Sequence, residues 1–534
     1  MFGGLGLVAF KADDYFEISK NLEIFADVYK QVNTSYVDDV KPGELIRAAI
    51  NGMLASLDPY TNFYSEAEAE EYRYQVTGTF AGIGSSIRRI DDYIYIESPL
   101  DDFPAQKAGL LPGDKILEVD GQSMKGKKTD EVTEFLKGKA GTSFNLKIER
   151  IGSGILEKTI TRETIKVKNV PYHGIIENHI GFIKLAGFTP NAGKEVQDAL
   201  LDLKSKGATK IVLDLRNNGG GLLHEAVNIV NIFVPKGATI VITRGKFEED
   251  NRIYKTLNSP VDTEIPLVIL INNNSASASE IVSGALQDFD RAVLIGQNSF
   301  GKGLVQTTMS LNYNTSMKVT TAKYYIPSGR LIQRLDYGNK VNGKAIAVAD
   351  SVKKDFYTKN GRKVIDGEGI QPDVPVEETR YSKLAQALIK NDLLFKFANQ
   401  FRSTHDRIDE PLKYSVSDDV FNEFKQFIAD KEYSYTTQTE RDLEKLEKQA
   451  KEEKYFSLLE EELTKLKKAL ESTKQSDLEN HKTELKELLE YEIVKRYYFE
   501  KGKVEVGFDD DVEWAKAKSI LNNSNAYNNL LIVN

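Results

Sequence analysis

Apolar residues change their period several times along this chain. Phe16, Leu22, Phe25, Val28, Tyr29 and Val32 recur at helical spacing, as do Leu45, Ile46, Ile50 and Leu54. That spacing predicts helix through residues 14–77, broken at Asp58-Pro59-Tyr60-Thr61. Between 78 and 165 the period drops to two. Short alternating runs (Ile94-Tyr95-Ile96, Lys115–Val119, Phe144–Ile148) lie between glycine turns and predict a compact β-rich module with one helix near 128–137. From 166 to 376, candidate strands at 180–186, 209–215, 238–243, 266–271 and 291–296 alternate with candidate helices at 190–206, 221–233 and 277–289; further strand is expected over 317–334. The unbroken apolar runs Ile211-Val212-Leu213 and Leu267–Ile271 suit strands buried on both faces, hence α/β layering. In 377–534, glycine and proline nearly vanish. Charged residues surround a leucine repeat (Leu443, Leu446, Leu459, Leu463, Leu466, Leu470, Leu485, Leu488, Leu489) whose spacing is not strictly heptad, so packed helices are expected rather than a long coiled coil.

Length and composition narrow the classes. The 534 residues allow roughly three or four domains, and 40% hydrophobic content supplies their cores. A net charge of −9, with both signs interspersed, argues against a nucleic-acid partner. The absence of cysteine excludes thiol catalysis, disulfides and cysteine metal sites. Residues 1–10 are apolar but lack the basic start of a signal peptide and are too few to span a bilayer. They are read as the stump of a trimmed signal or membrane anchor, with a frayed apolar terminus as the plain alternative.

Candidate chemistry concentrates at Asn272-Asn-Asn-Ser-Ala-Ser277-Ala-Ser-Glu280 and Phe300-Gly-Lys302-Gly-Leu-Val-Gln306. Ser277-Ala-Ser-Glu280 is a capping-box sequence at the start of an apolar helix, and that reading alone accounts for it. The same helix start also presents unpaired N–H groups to a developing oxyanion, with Ala278 N–H as one donor. None of the five histidines lies in a Gly/Ser-rich turn near a candidate nucleophile, so the base for a serine nucleophile would be Lys302, once burial lowers its pKa from about 10.4 toward 7. Gln306, further along the expected strand, is placed on the same side to hold the ammonium. Gly296–Gly303 nearly spells a phosphate-binding loop, but Gly303 stands where a hydroxyl residue is needed and strand rather than helix is expected to follow. Asp214-Leu-Arg-Asn-Asn-Gly219-Gly220-Gly221 runs from a buried strand into a triple-glycine turn whose N–H groups could supply a second oxyanion donor; it lacks the spacing of a dinucleotide fingerprint. In the β-rich module, the Gly82-Ile83-Gly84 loop precedes a strand and could cradle a peptide carboxylate, the peptide then adding as a strand beside the 128–137 helix.

Taken together, these blocks resemble a known family. Phe80–Gly84 with Gly109-Leu-Leu-Pro-Gly-Asp-Lys-Ile-Leu-Glu-Val-Asp-Gly121 resembles a PDZ domain. Asp214–Leu223, Ser275–Glu280 and Phe300–Gln306 resemble the C-terminal processing peptidases, or tail-specific proteases; Leu57–Thr61 and Asp366–Asp373 resemble the flanks of that family's core. The resemblance spans roughly 15–376 and does not reach the helical region beyond. It implies an α/β protease core with an inserted β-rich PDZ domain and a helical C-terminal appendage: a helical region at 1–77, PDZ domain at 78–165, Ser–Lys core at 166–376 and helices at 377–534. It implies Ser277 as nucleophile, Lys302 as general base, Gln306 as its orienting residue, an oxyanion hole of Ala278 and Gly220, and a carboxylate loop of Gly82, Ile83 and Gly84. Gly219 stands where relatives often carry proline. No metal or cofactor is implied. The implied activity is serine endopeptidase action near the unstructured C-termini of protein or peptide substrates, in the periplasm or another exported setting, with a membrane anchor upstream of the stump as an option. The helical region is left as a possible site for adaptor binding or self-association. The alternatives are a silent, tail-binding PDZ adaptor and an esterase of small substrates.

Overall fold

The computed structural model describes residues 12–533, so the apolar stump lies outside the described residues. Two helices (Ala12–Ser35, Pro42–Ala55), a short strand (Asn62–Tyr64) and a third helix (Glu66–Thr77) lead into the β-rich module. There a sheet of six strands curls around the helix Thr129–Leu136. The strand pair Thr79–Gly82 and Glu163–Lys166 joins this module to the core at its two ends.

The core is a six-stranded sheet in the order Tyr172–Glu177, Ile180–Lys184, Lys210–Asp214, Leu267–Ile271, Val293–Gly296, Val374–Pro375. Every pairing after the first is parallel. Side chains alternate across it. Ile183, Ile211, Leu213, Leu267, Ile269, Ile271 and Leu294 meet the helices Ala192–Ser205, Leu223–Phe233 and Ala278–Asp288. Ile180, Phe182, Val212, Val268, Leu270, Val293 and Ile295 face the other way, onto Phe508, Trp514, Ala517, Ile520, Leu521 and Tyr527. The second face of the central sheet is therefore closed by Phe508–Tyr527 of the helical region.

Two of the expected strands differ from the sequence reading. The strand expected at 238–243 (observed Thr239–Gly245) is not in the central sheet. It lies in a separate antiparallel sheet, between Ser316–Tyr325 and Arg252–Lys255, because the short connection through Glu248–Asp250 makes it a hairpin. The strand expected over 317–334 ends at Tyr325, where Pro327-Ser328-Gly329 turns the chain; Pro327 has no N–H for a ladder, and Gly329 adopts φ +92°.

The leucine-rich stretch forms a helical hairpin, Gln438–Glu452 and Phe456–Gln475. Apart from this hairpin, Lys383–Lys390, Leu393–Thr404, Asp418–Ile428 and Lys482–Val506 share their own core. This helical body also grips the β-rich module, through Arg88–Asp392 at 2.7 Å, Lys495–Glu97 at 3.5 Å and an edge-on Tyr95–Phe395 contact.

Candidate active site

Three loops leave the carboxyl ends of neighbouring parallel strands: Arg216–Gly221 after Asp214, Asn272–Ser277 after Ile271, and Gln297–Lys302 after Gly296. This is where open α/β sheets place ligands. Ser277, Lys302, Gln306, Gly220 and Ala278 all line one cleft of about 1470 Å³.

Ser277 precedes the helix Ala278–Asp288 with φ 56° and ψ −111°. A side-chain-bearing residue at positive φ costs on the order of 1–3 kcal/mol and must be held by its surroundings. Those surroundings are two buried side chains. Glu280 accepts the N–H of Ser277 (2.8 Å) and of Lys302 (2.9 Å) on one oxygen, and the N–H of Gly301 (2.7 Å) and the hydroxyl of Ser299 (2.5 Å) on the other. The Tyr324 hydroxyl donates to Lys302 O at 2.7 Å and lies 3.2 Å from Ser277 O. Burial raises the pKa of both groups. One carboxylate and one phenol thus tie the backbone of the Ser277 turn to that of the Lys302 turn. Glu280 was legible only as a helix cap, and nothing in the sequence pointed to Tyr324.

The neighbouring serines have other tasks. Ser275 Oγ donates to Leu215 O (2.8 Å) and Ser279 Oγ to Asn218 O (2.9 Å), both fully buried, pinning the glycine loop to the serine loop. Ser277 alone of the three lines the cleft.

Lys302 is largely buried, and burial, reinforced by nearby Lys318, lowers its pKa to about 8. About a tenth of it is then neutral at pH 7. Its Nζ lies 4.5 Å from the centroid of the Tyr60 ring, contributed by the turn that Asp58 ties through the N–H groups of Tyr60 and Thr61. Lys318→Met removes a positive neighbour, so the acidic limb of a pH–rate profile should move to higher pH with its plateau preserved. An unmoved limb would detach that limb from Lys302.

Gln306 sits in the strand Leu304–Ser310, just after a register shift between Val305 and Gln306. Its Nε2 donates to Thr320 Oγ1 at 3.2 Å, and among the described residues no hydrogen bond joins it to Lys302. Strand, not helix, follows Lys302, which removes the phosphate-loop reading. Gly220, at φ +95°, packs against the serine turn. Its N–H donates to Asn218 Oδ1 at 2.9 Å in this state, so it would reach an oxyanion by sharing or releasing that bond. Ala278 N–H opens a helix and has no intrahelical acceptor by position.

In the β-rich module, Ile83 O and Gly84 O accept the N–H groups of Ala105 and Leu100, both at 2.8 Å. A Cβ on Gly84 would come within 2.5 Å of Phe103 Cβ. The following strand, Ser85–Ile90, is an edge of its sheet and packs beside Thr129–Leu136, so its free side can take an added strand. The cleft that holds Ser277 and Lys302 reaches the border of this module at Phe80, Lys137 and Val167, and none of Gly82–Ile90 is among its lining residues. Among the described residues no group of three metal-ligating side chains occurs, and no helix is long and apolar enough to cross a membrane.

Residues 179–341 match the model described as peptidase family S41. The carboxy-terminal-processing protease of Bartonella bacilliformis is 42% identical over 319 residues, covering 59% of this chain and 73% of that protein. The chain belongs to the carboxy-terminal-processing protease family. It is a serine peptidase carrying a PDZ domain, matched at residues 95–150. A probable CtpA-like serine protease of Staphylococcus aureus is 36% identical over 380 residues, 70% of this chain and 68% of that protein. Residues 8–69 match the activating protease CtpB N-terminal domain. Residues 384–521 match the probable PDZ-protease C-terminal helical domain, so the region that the core motifs leave uncovered has a family counterpart of its own. A solved photosystem II D1 C-terminal processing protease is 26% identical, covering 66% of this chain and 92% of that one, with a TM-score of 0.37.

Proposed function

We propose that this peptidase binds the unstructured C-terminal tail of a protein and cleaves near it by a Ser–Lys mechanism. The observation that carries the reading is the single cleft that runs from the PDZ rim at Phe80 and Lys137 to Ser277 and Lys302. The tail carboxylate would sit on the N–H groups of Gly82, Ile83 and Gly84, with the tail extended along the free edge of Ser85–Ile90. Ser277 Oγ attacks the scissile carbonyl while neutral Lys302 Nζ takes the hydroxyl proton. The oxyanion is met by Ala278 N–H, with Gly220 N–H as the second donor. Collapse expels the amine, which receives the proton from Lys302, and water then hydrolyses the ester with Lys302 as base once more. Gln306 would steady the ammonium after a rotamer change away from Thr320. A periplasmic or otherwise exported location is carried by the family likeness.

The test pairs two readouts. A fluorophosphonate probe should label Ser277, located by peptide mapping. A reporter with a disordered tail should be cleaved with a kcat/KM about 10- to 100-fold higher when its C-terminus is free than when it is amidated, since hydrogen bonds to a charged group are worth about 1.5–3 kcal/mol. Equal rates on the two tails would defeat tail recognition. Labelling at another serine would move the nucleophile, and an unlabelled, inert protein would favour a tail-binding adaptor.

A further inference from the structure

The helix Val512–Leu521, which closes the outer face of the central sheet, also touches the catalytic loops at their roots. Its N-cap Asp511 accepts Trp514 N–H at 2.8 Å, and its two oxygens take the Arg216 guanidinium at 2.9 and 2.6 Å. Arg216 turns its Nε and Nη2 onto Asp214 at 2.9 and 3.1 Å. Glu513 has two partners. One of its oxygens accepts from Arg216 Nη1 at 3.3 Å, the other from Gln297 Nε2 at 2.8 Å. Arg216 starts the loop that ends in Gly219–Gly221, and Gln297 starts the segment that ends in Lys302. One carboxylate therefore spans the origins of the oxyanion loop and the base loop.

The electrostatics make this bridge stiff. The side chains of Arg216, Asp511 and Glu513 are only about 15% exposed, and Asp214 is 1% exposed. Burial works against the charge on Asp214, but Arg216 and Lys184 outweigh it and hold its pKa well below the usual range. A planar guanidinium gripped by three carboxylates has one orientation, which a lysine at that position could not reproduce.

We propose that Glu513 and Asp511 are positioning residues for proteolysis, fixing through Arg216 and Gln297 the spacing between the oxyanion loop and Lys302. The helical region is then part of the catalytic framework. The proposal rests on the Ser277–Lys302 reading. A displacement of about 1 Å in a reacting constellation can cost roughly 100-fold in rate. In the full-length protein, Glu513→Ala should lower kcat on the tail reporter about 10- to 100-fold while KM stays within about twofold, the loss being one of alignment. Glu513→Gln, which has a single acceptor for two donors, should fall between. Arg216→Lys should resemble Glu513→Ala. Adding Gln297→Ala to Glu513→Ala should cost less than the sum of the single changes, because both cut the same bond.

A lower melting temperature with kcat per folded molecule unchanged would overturn the proposal, since a purely structural helix predicts that result. If Glu513→Ala fails to fold, the near-isosteric Glu513→Gln decides on the same criteria. Lys302→Ala, run alongside, separates the failures. An active Lys302→Ala defeats the Ser–Lys reading, whereas an inert Lys302→Ala beside a fully active Glu513→Ala defeats this inference alone.

Discussion

Replacing either Ser277 or Lys302 with alanine is expected to lower kcat by on the order of 10⁴- to 10⁶-fold, with substrate binding and thermal melting little changed. Members of a catalytic unit fail together, so the double variant should be scarcely worse than either single one. Both side chains line an open cleft and neither carries the loop architecture, which rests on Glu280 and Tyr324. Lys302→Arg should be nearly as inert, because a guanidinium does not deprotonate in this range. The pH dependence follows with a fixed sign. The base works as the neutral amine, and its pKa is lowered to about 8, so the rate should climb with pH and level off above about 8. Steady-state kinetics from pH 6 to 10 would check this. A profile that falls through that range, or a Lys302→Ala enzyme with substantial activity, would rule lysine out as the base.

Gly220→Ala should be the next most damaging change, lowering kcat about 10²- to 10³-fold, the range associated with loss of one oxyanion donor. The reason is steric. A Cβ at Gly220 would lie 2.6 Å from Ala276 O, 2.8 Å from Ala278 N and 3.0 Å from Ser277 Cβ, on a residue held at φ +95°. Those neighbours belong to the nucleophile turn, so relief means pushing the glycine loop away from Ser277. Gly219→Ala is the matched control. Its Cβ would meet nothing within 4 Å, and activity should stay within about twofold. If the two variants behave alike, the loop is not confined as described.

How far these features could be read from residues depended on distance along the chain. Leu267–Ile271 announced a strand buried on both faces because five apolar residues in a row leave no polar side. What covers its second face was not legible, since Phe508, Trp514 and Tyr527 lie in a charged stretch dominated by the leucine repeat upstream. The strand at 239–245 looked like its parallel neighbours because local apolar content says nothing about which sheet will take it. At the site, Lys302 stood out between Gly301 and Gly303, whereas Ser277 lies among Ser275 and Ser279 and is singled out by the family resemblance. Glu280 was visible as a cap three residues from Ser277, whereas its grip on Gly301 and Lys302 is made only when another strand's loop folds over it. Tyr60 was visible only as part of the Leu57–Thr61 turn and Tyr324 only as a strand residue, because their contacts with Lys302 are made when their elements pack over it. Gln306 lines the same cleft as Lys302, but a register shift at Val305/Gln306 means that strand alternation alone does not place it there.

The late position of the helix Val512–Leu521 has a consequence for biogenesis. During synthesis at about 5–20 residues per second, Ser277 and Lys302 emerge on the order of ten seconds or more before the segment that seals Phe182, Val212 and Leu270 from water. Until then the central sheet exposes one entire apolar face, and Arg216 lacks Asp511 and Glu513. A nascent chain therefore holds Ser277 and Lys302 before the contacts of Arg216 with Asp511 and Glu513 have formed. On the proposal that Glu513 aligns the two loops, efficient cleavage of peptide should not begin until the segment Val512–Leu521 has docked.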